Sequence, residues 1–196
     1  MDRLTGIAVV ALAAAAAPPP IPGALVTTVQ VRRAGELAAT LRECRGRAQR
    51  DWTKQTVVVD RRFGRRRSLT YRALDGRSLA SCDSIGVPIE RRRWCGAATG
   101  TLYGGRLRDP RLVLCEPRSG RPIGFIWVTP VRRARWIGVA AGDRTALYRV
   151  AVGLPVRVST DRNVRIRGST ATFVIRQYAG NGEVIRRRTI VARVAG

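Results

Sequence analysis

The chain has 196 residues, with 37 Lys plus Arg against 13 Asp plus Glu, four cysteines, no histidine and a formal charge of +24. At 45% hydrophobic residues it is too apolar for a disordered polycation, and it is long enough for one or two domains with a buried core. The lack of histidine excludes imidazole general-base catalysis, Ser-His or Cys-His nucleophile activation, and the His-containing zinc sites.

Residues 4–17 are uncharged and almost wholly apolar, follow Arg3, and stop at Pro18, Pro19 and Pro20. A spanning helix needs about 20 apolar residues and would not survive three prolines. The segment therefore reads as a secretory signal peptide followed by a Pro-rich leader, together residues 1–24, with the mature chain starting between Ala14 and Leu25. The competing reading is an unstructured Ala-rich stretch that reflects biased composition. A first strand is expected over residues 25–31. Leu37, Leu41, Cys44 and Ala48 then recur at i, i+4, i+7 and i+11, which predicts one helix over residues 35–49 with Arg42, Arg45 and Arg50 outward.

From Gln55 onward, short β-rich runs alternate with turn residues. Hairpins are expected at Asp75-Gly76, Gly104-Gly105, Ser119-Gly120, Gly142-Asp143, residues 161–163 and Asn181-Gly182, because these residues tolerate the backbone angles of tight turns. The predicted fold is mainly β: an antiparallel meander of hairpins forming a sandwich or barrel, with one N-terminal helix. A boundary near Pro130 would separate a disulfide-bonded β domain (25–130) from a C-terminal sandwich-like domain (131–196). Two tryptophan-containing segments 42 residues apart, around Trp94 and Trp136, are too few to establish a repeat.

Cys44, Cys82, Cys95 and Cys115 form an even set in a chain expected to be exported, which points to two disulfides. Three pairings are open. Moderate loop lengths favour Cys44 with Cys82 and Cys95 with Cys115. Their spacing lacks the short pairs of a zinc site, so no metal is expected.

Enzyme chemistry finds little support. Most carboxylates sit at turns, and no Gly-rich phosphate loop is present. Lys54 is the sole lysine, with no serine motif to pair with it. No catalytic residue, cofactor or small-molecule substrate is indicated.

The basic excess is spread evenly: residues 25–130 carry 22 basic and 9 acidic side chains, and residues 131–196 carry 14 and 3. Arginine dominance follows from a GC-rich coding bias, but the shortage of acids does not. In Val156-Arg157-Val158 and Val164-Arg165-Ile166-Arg167 the period is two, which places apolar residues on one side and arginines on the other. Arg149, Arg157, Arg165, Arg167 and Arg176 are therefore the candidate polyanion-binding residues, with part of the 186–188 arginine run beside them. The bland alternative is a solvated face made basic by codon usage. The resulting expectation is an exported, non-enzymatic binding protein, secreted or at the cell envelope, whose partners are anionic polymers or lipid head groups. The alternative is a structural or protein-protein interaction module with no polyanion ligand.

Overall fold

The computed structural model describes residues 17–45, 52–64, 66–85, 93–103, 106–107, 112–115, 123–141, 144–159 and 166–194. Within them the chain is mainly β, with one helical segment in which a 3-10 turn (Ala34–Leu37) runs into helix α1 (Ala38–Arg45). The strands form three sheets with a sandwich-like arrangement.

The N-terminal sheet is an antiparallel meander of β2 (Thr28–Arg33), β3 (Val57–Phe63), β4 (Arg66–Arg72), β5 (Ser78–Ile85), β6 (Arg93–Tyr103) and β7 (Arg106–Leu107). The middle sheet has the order β12-β9-β8, from Val156–Ser159, Ile123–Val128 and Val113–Cys115. The C-terminal sheet runs β1 (Leu25–Val26), β11 (Arg144–Arg149), β10 (Trp136–Ala141), β14 (Thr170–Tyr178) and β13 (Ile166–Arg167), and β15 (Val184–Arg193) also pairs with β14. All these pairings are antiparallel except that of β1 with β11.

Alternation of side chains explains the stacking. On one face of the N-terminal sheet, Val58, Leu69, Tyr71 and Ala80 are covered by Leu37 and Leu41 of the helical segment. On the other face, Val59 and Leu79 meet Trp127 and Leu154. The middle sheet turns Ile126, Val128, Val156 and Val158 the opposite way, onto Ile137, Val139, Phe173 and Ile175 of the C-terminal sheet. It is thus buried on both sides, and every residue of β12 is buried.

Local signals set the turns. Asp75 accepts hydrogen bonds at Oδ1 from the Arg77 and Ser78 amides (2.8 and 2.7 Å), and Gly76 takes φ 64°. Asn181 Oδ1 accepts from the Glu183 amide (3.1 Å) beside Gly182. The flanking strands β4–β5 and β14–β15 pair as expected, as do β6–β7, β8–β9 and β10–β11.

Four expectations need correction. The first strand is two: β1 joins the C-terminal sheet and β2 the N-terminal one. The break falls at buried Thr27, whose amide donates to the Leu147 carbonyl (2.9 Å). The helix starts in 3-10 geometry and its α part is eight residues long; residues 46–50 lie outside the described residues. Residues 161–163 lie outside the described residues, but the strands expected to pair across them are in different sheets, β12 with β9 and β13 with β14. A β3–β4 hairpin that the turn dipeptides did not reveal bends at Gly64, φ 55°.

Strands from both sides of Pro130 pair with one another, β9 with β12 and β1 with β11. Residues 19–24 of the Pro-rich segment pack on the C-terminal sheet, where Ile21 and Ala24 cover Trp136, Leu147 and Tyr178. Gly138 is needed beneath them, since a Cβ there would lie 2.8 Å from the Tyr178 ring. Among the described residues no helix is long and apolar enough to cross a membrane.

Cys44 falls on α1, Cys82 on β5, Cys95 on β6 and Cys115 on β8. Cys82 is buried and disulfide-bonded. The expected pairings lie outside the described side chains.

Candidate functional site

Register shows which arginines share a surface. Across the C-terminal sheet, Arg149 lies opposite Trp136, Gly138 opposite Arg176, Arg176 opposite Arg187, and Thr170 opposite both Arg167 and Arg193. Residues directly opposite, and residues two apart on a strand, point the same way. Arg149, Arg167, Arg176, Arg187 and Arg193 therefore occupy one face, opposite to the face that buries Phe173 and Ile175. Arg167, Arg187 and Arg193 are exposed, and Arg149 and Arg176 are half-buried.

One end of this face is apolar and closed by residues 19–24 over Trp136, Leu147 and Tyr178. Arg149 lies at that closed end, opposite Trp136, whereas the open end carries Arg167, Arg176, Arg187 and Arg193 with Thr170, Thr172, Thr189 and exposed Val191. No carboxylate shares the face among the described residues, and none of its five arginines is in an ion pair among them.

The structure thus brings together three of the five sequence candidates. Arg165 lies outside the described residues. Arg157 is not on this face: it is 2% exposed and its Nε donates to Asp83 Oδ2 at 3.0 Å, between the middle and N-terminal sheets. The period of two around Arg157 is real, but it separates two buried interfaces rather than core from solvent. Arg193 was missed, although Ile190-Val191-Ala192-Arg193 carries the alternation that would have placed it.

A second arginine-rich locus surrounds Arg157. Asp83 Oδ1 accepts from Ser68 Oγ (2.8 Å), and its Oδ2 accepts from Ser81 Oγ (3.0 Å) as well as from Arg157. Arg61, 3% exposed, donates through Nη2 to the Arg149 carbonyl at 2.7 Å. Burial pulls its guanidinium down to about 10, which leaves it charged at neutral pH. Tyr148 Oη lies 3.2 Å from Ser159 Oγ, which also accepts from Arg66 Nη1 at 3.1 Å. On the helix side of the same sheet, Arg67 grips Asp60 with two bonds, Nε to Oδ1 at 2.9 Å and Nη2 to Oδ2 at 2.8 Å.

Among the described residues no group of three or more His, Cys, Asp or Glu is placed to hold a metal ion. Against known proteins, the chain matches no family model, no curated protein and no solved structure.

Proposed function

We propose that this is an exported, non-enzymatic binding protein that holds polyanions on the outer face of its C-terminal sheet. The observation that carries this reading is the cross-strand pair Arg176–Arg187 on a face without carboxylates among the described residues. Like charges set directly opposite each other destabilise a sheet, and a bound anion reverses that cost. The arginines range from β11 to β15, three strand spacings or about 14 Å, a span suited to a polymer of repeating charge rather than to one small ligand. Guanidinium groups meet phosphate, sulfate or carboxylate with paired hydrogen bonds, and binding of this kind releases counterions and weakens with salt. Export is supported by the apolar run at residues 4–17 and by the disulfide at Cys82, which suits an oxidising compartment.

Heparin chromatography of the double variant Arg176→Gln/Arg187→Gln tests the reading. The variant is expected to keep its thermal stability and to elute at distinctly lower salt than the parent. Elution at the parental salt concentration would show that the face is merely solvated.

One observation favours the interaction-module alternative. β15 is ten residues long, pairs with β14 and touches Leu112 only at its C-terminal end among the described residues, and exposes Val184 and Val191. An edge of this kind can accept a strand from a protein partner. Heparin retention without salt dependence, or its absence, would move that alternative to first place.

A further inference from the structure

Between the N-terminal and middle sheets the buried charges of the described residues do not balance. Register sets Arg61 of β3, Ser68 of β4 and Asp83 of β5 abreast in one row, and Arg157 reaches down from β12 onto Asp83. One carboxylate therefore faces two buried guanidinium groups, and its oxygens already accept from Ser68, Ser81 and Arg157. Arg61 Nε and Arg157 Nη1 and Nη2 are buried without a hydrogen-bond partner among the described residues.

Neighbouring groups do not remove the imbalance. The Arg157 guanidinium lies 5.1 Å from the Trp127 ring centroid and 5.5 Å from that of Phe125. Aromatic faces attract the cation, but they do not replace acceptors for N–H groups that radiate in the guanidinium plane. Deprotonation does not resolve the charge either, since Arg61 stays protonated well above neutral pH. A buried charge without a counter-charge is strongly destabilising.

Two half-buried side chains lie at the rim of this locus. Arg66, which donates to Ser159 Oγ, and Phe63, whose ring stacks on Tyr148 at 5.9 Å, are both only half-buried and flank the β3–β4 turn.

We infer that Arg61 and Arg157, with Ser159 and Arg66 toward the rim, form an internal site for one phosphate-sized tetrahedral oxyanion. Such an ion presents acceptors in several directions at once and supplies the missing negative charge. The site lies on the other side of the middle sheet from the outer arginine face, and it stands independently of the polyanion reading.

Thermal unfolding of the full chain at constant ionic strength, with sodium chloride replaced stepwise by sodium phosphate, tests the assignment. The parent is expected to gain stability along a saturating curve, as a ligand bound only by the folded state requires. Arg61→Gln is expected to be more stable than the parent in chloride and to lose the phosphate response, while its heparin retention stays parental. Arg176→Gln/Arg187→Gln is expected to keep the phosphate response. If Arg61→Gln does not fold, Arg61→Lys and phosphorus NMR line broadening of phosphate by the parent chain decide the matter. Glycerol phosphate in place of inorganic phosphate separates the two sources of the ligand: an equal response assigns the site to a phosphate end group, and loss of response assigns it to the free ion. A parent that responds to phosphate no more than to chloride overturns the inference. So does a phosphate response that survives in Arg61→Gln or disappears in Arg176→Gln/Arg187→Gln.

Discussion

Two aspartate–arginine pairs sit on opposite faces of the N-terminal sheet, and their construction differs. Asp60 and Arg67 belong to one hairpin, are seven residues apart, and meet in a two-pronged contact that uses both carboxylate oxygens. Asp83 and Arg157 are 74 residues apart, come from different sheets, and meet through one nitrogen while two serines take further acceptor positions of the carboxylate. The local pair satisfies its own carboxylate, with the exposed Arg62 guanidinium 3.9 Å from Asp60 Oδ2 at its edge. The long-range pair locks the middle sheet onto the N-terminal sheet and leaves donors over, and that surplus gives it a capacity to bind which the other lacks.

The largest expected effect is that of Asp83→Ala, which removes the one carboxylate among the described residues that faces both Arg61 and Arg157. A loss of about 3–5 kcal/mol in urea denaturation is expected, as for other broken buried pairs. Asp60→Ala should cost less, about 2–3 kcal/mol, because Arg67 is 9% exposed and can recover some hydration. Equal losses would erase the distinction between the two pairs.

Apolar replacement sharpens the contrast. Asp60→Leu with Arg67→Met removes both members of the local pair and should stay within about 1 kcal/mol of the parent. Asp83→Leu with Arg157→Met leaves the Ser68 and Ser81 hydroxyls without their acceptor and should remain clearly destabilised in the same urea titration.

Arg61 gives a pH signature. Its value in the folded chain, about 10, lies well below that of a free guanidinium, so folding is penalised while the group is charged in both states, and the penalty is relieved as pH rises through 10. The stability advantage expected for Arg61→Gln over the parent should therefore shrink between pH 9 and pH 11, roughly the interval around that value. A constant difference would mean that Arg61 is better solvated than its burial implies.

The smallest effect belongs to Asp75, an exposed carboxylate held below its usual range by the Ser78 hydroxyl and amide and the Arg77 amide. Its contribution is present above the unfolded value of about 4 and disappears as pH falls through the lower folded value. The stability difference between the parent and Asp75→Ala should be constant at neutral pH and vanish on acidification. A difference that persists in acid would assign the effect to the turn backbone instead.

Much of the fold was legible because its signals are local. Asp75-Gly76 and Asn181-Gly182 fix turns by side-chain hydrogen bonds and positive φ within four residues, and Leu37 with Leu41 marks the helix face. The three-sheet layering was not legible, because pairing of β9 with β12 or β1 with β11 depends on contacts far apart in the chain. The candidate site divides in the same way. Arg167 and Arg176 could be read from alternation, since one side of their strands meets solvent. Arg157 could not, because alternation records that two sides differ and says nothing about which of them is wet. A strand buried on both faces is usually a continuous apolar run, and Val156-Arg157-Val158-Ser159 departs from that pattern because Asp83 waits across the interface.

The parallel docking of Leu25–Val26 on β11 ties nearly the first residue of the folded body to one more than a hundred residues later. The order of folding is constrained in consequence. The N-terminal meander can assemble from neighbouring hairpins as it emerges, whereas the first strand and the segment before it have no place to dock until β10 and β11 exist. Closing such a long loop is slow compared with forming hairpins. Residues 19–26 are thus the last part of the described chain to be secured.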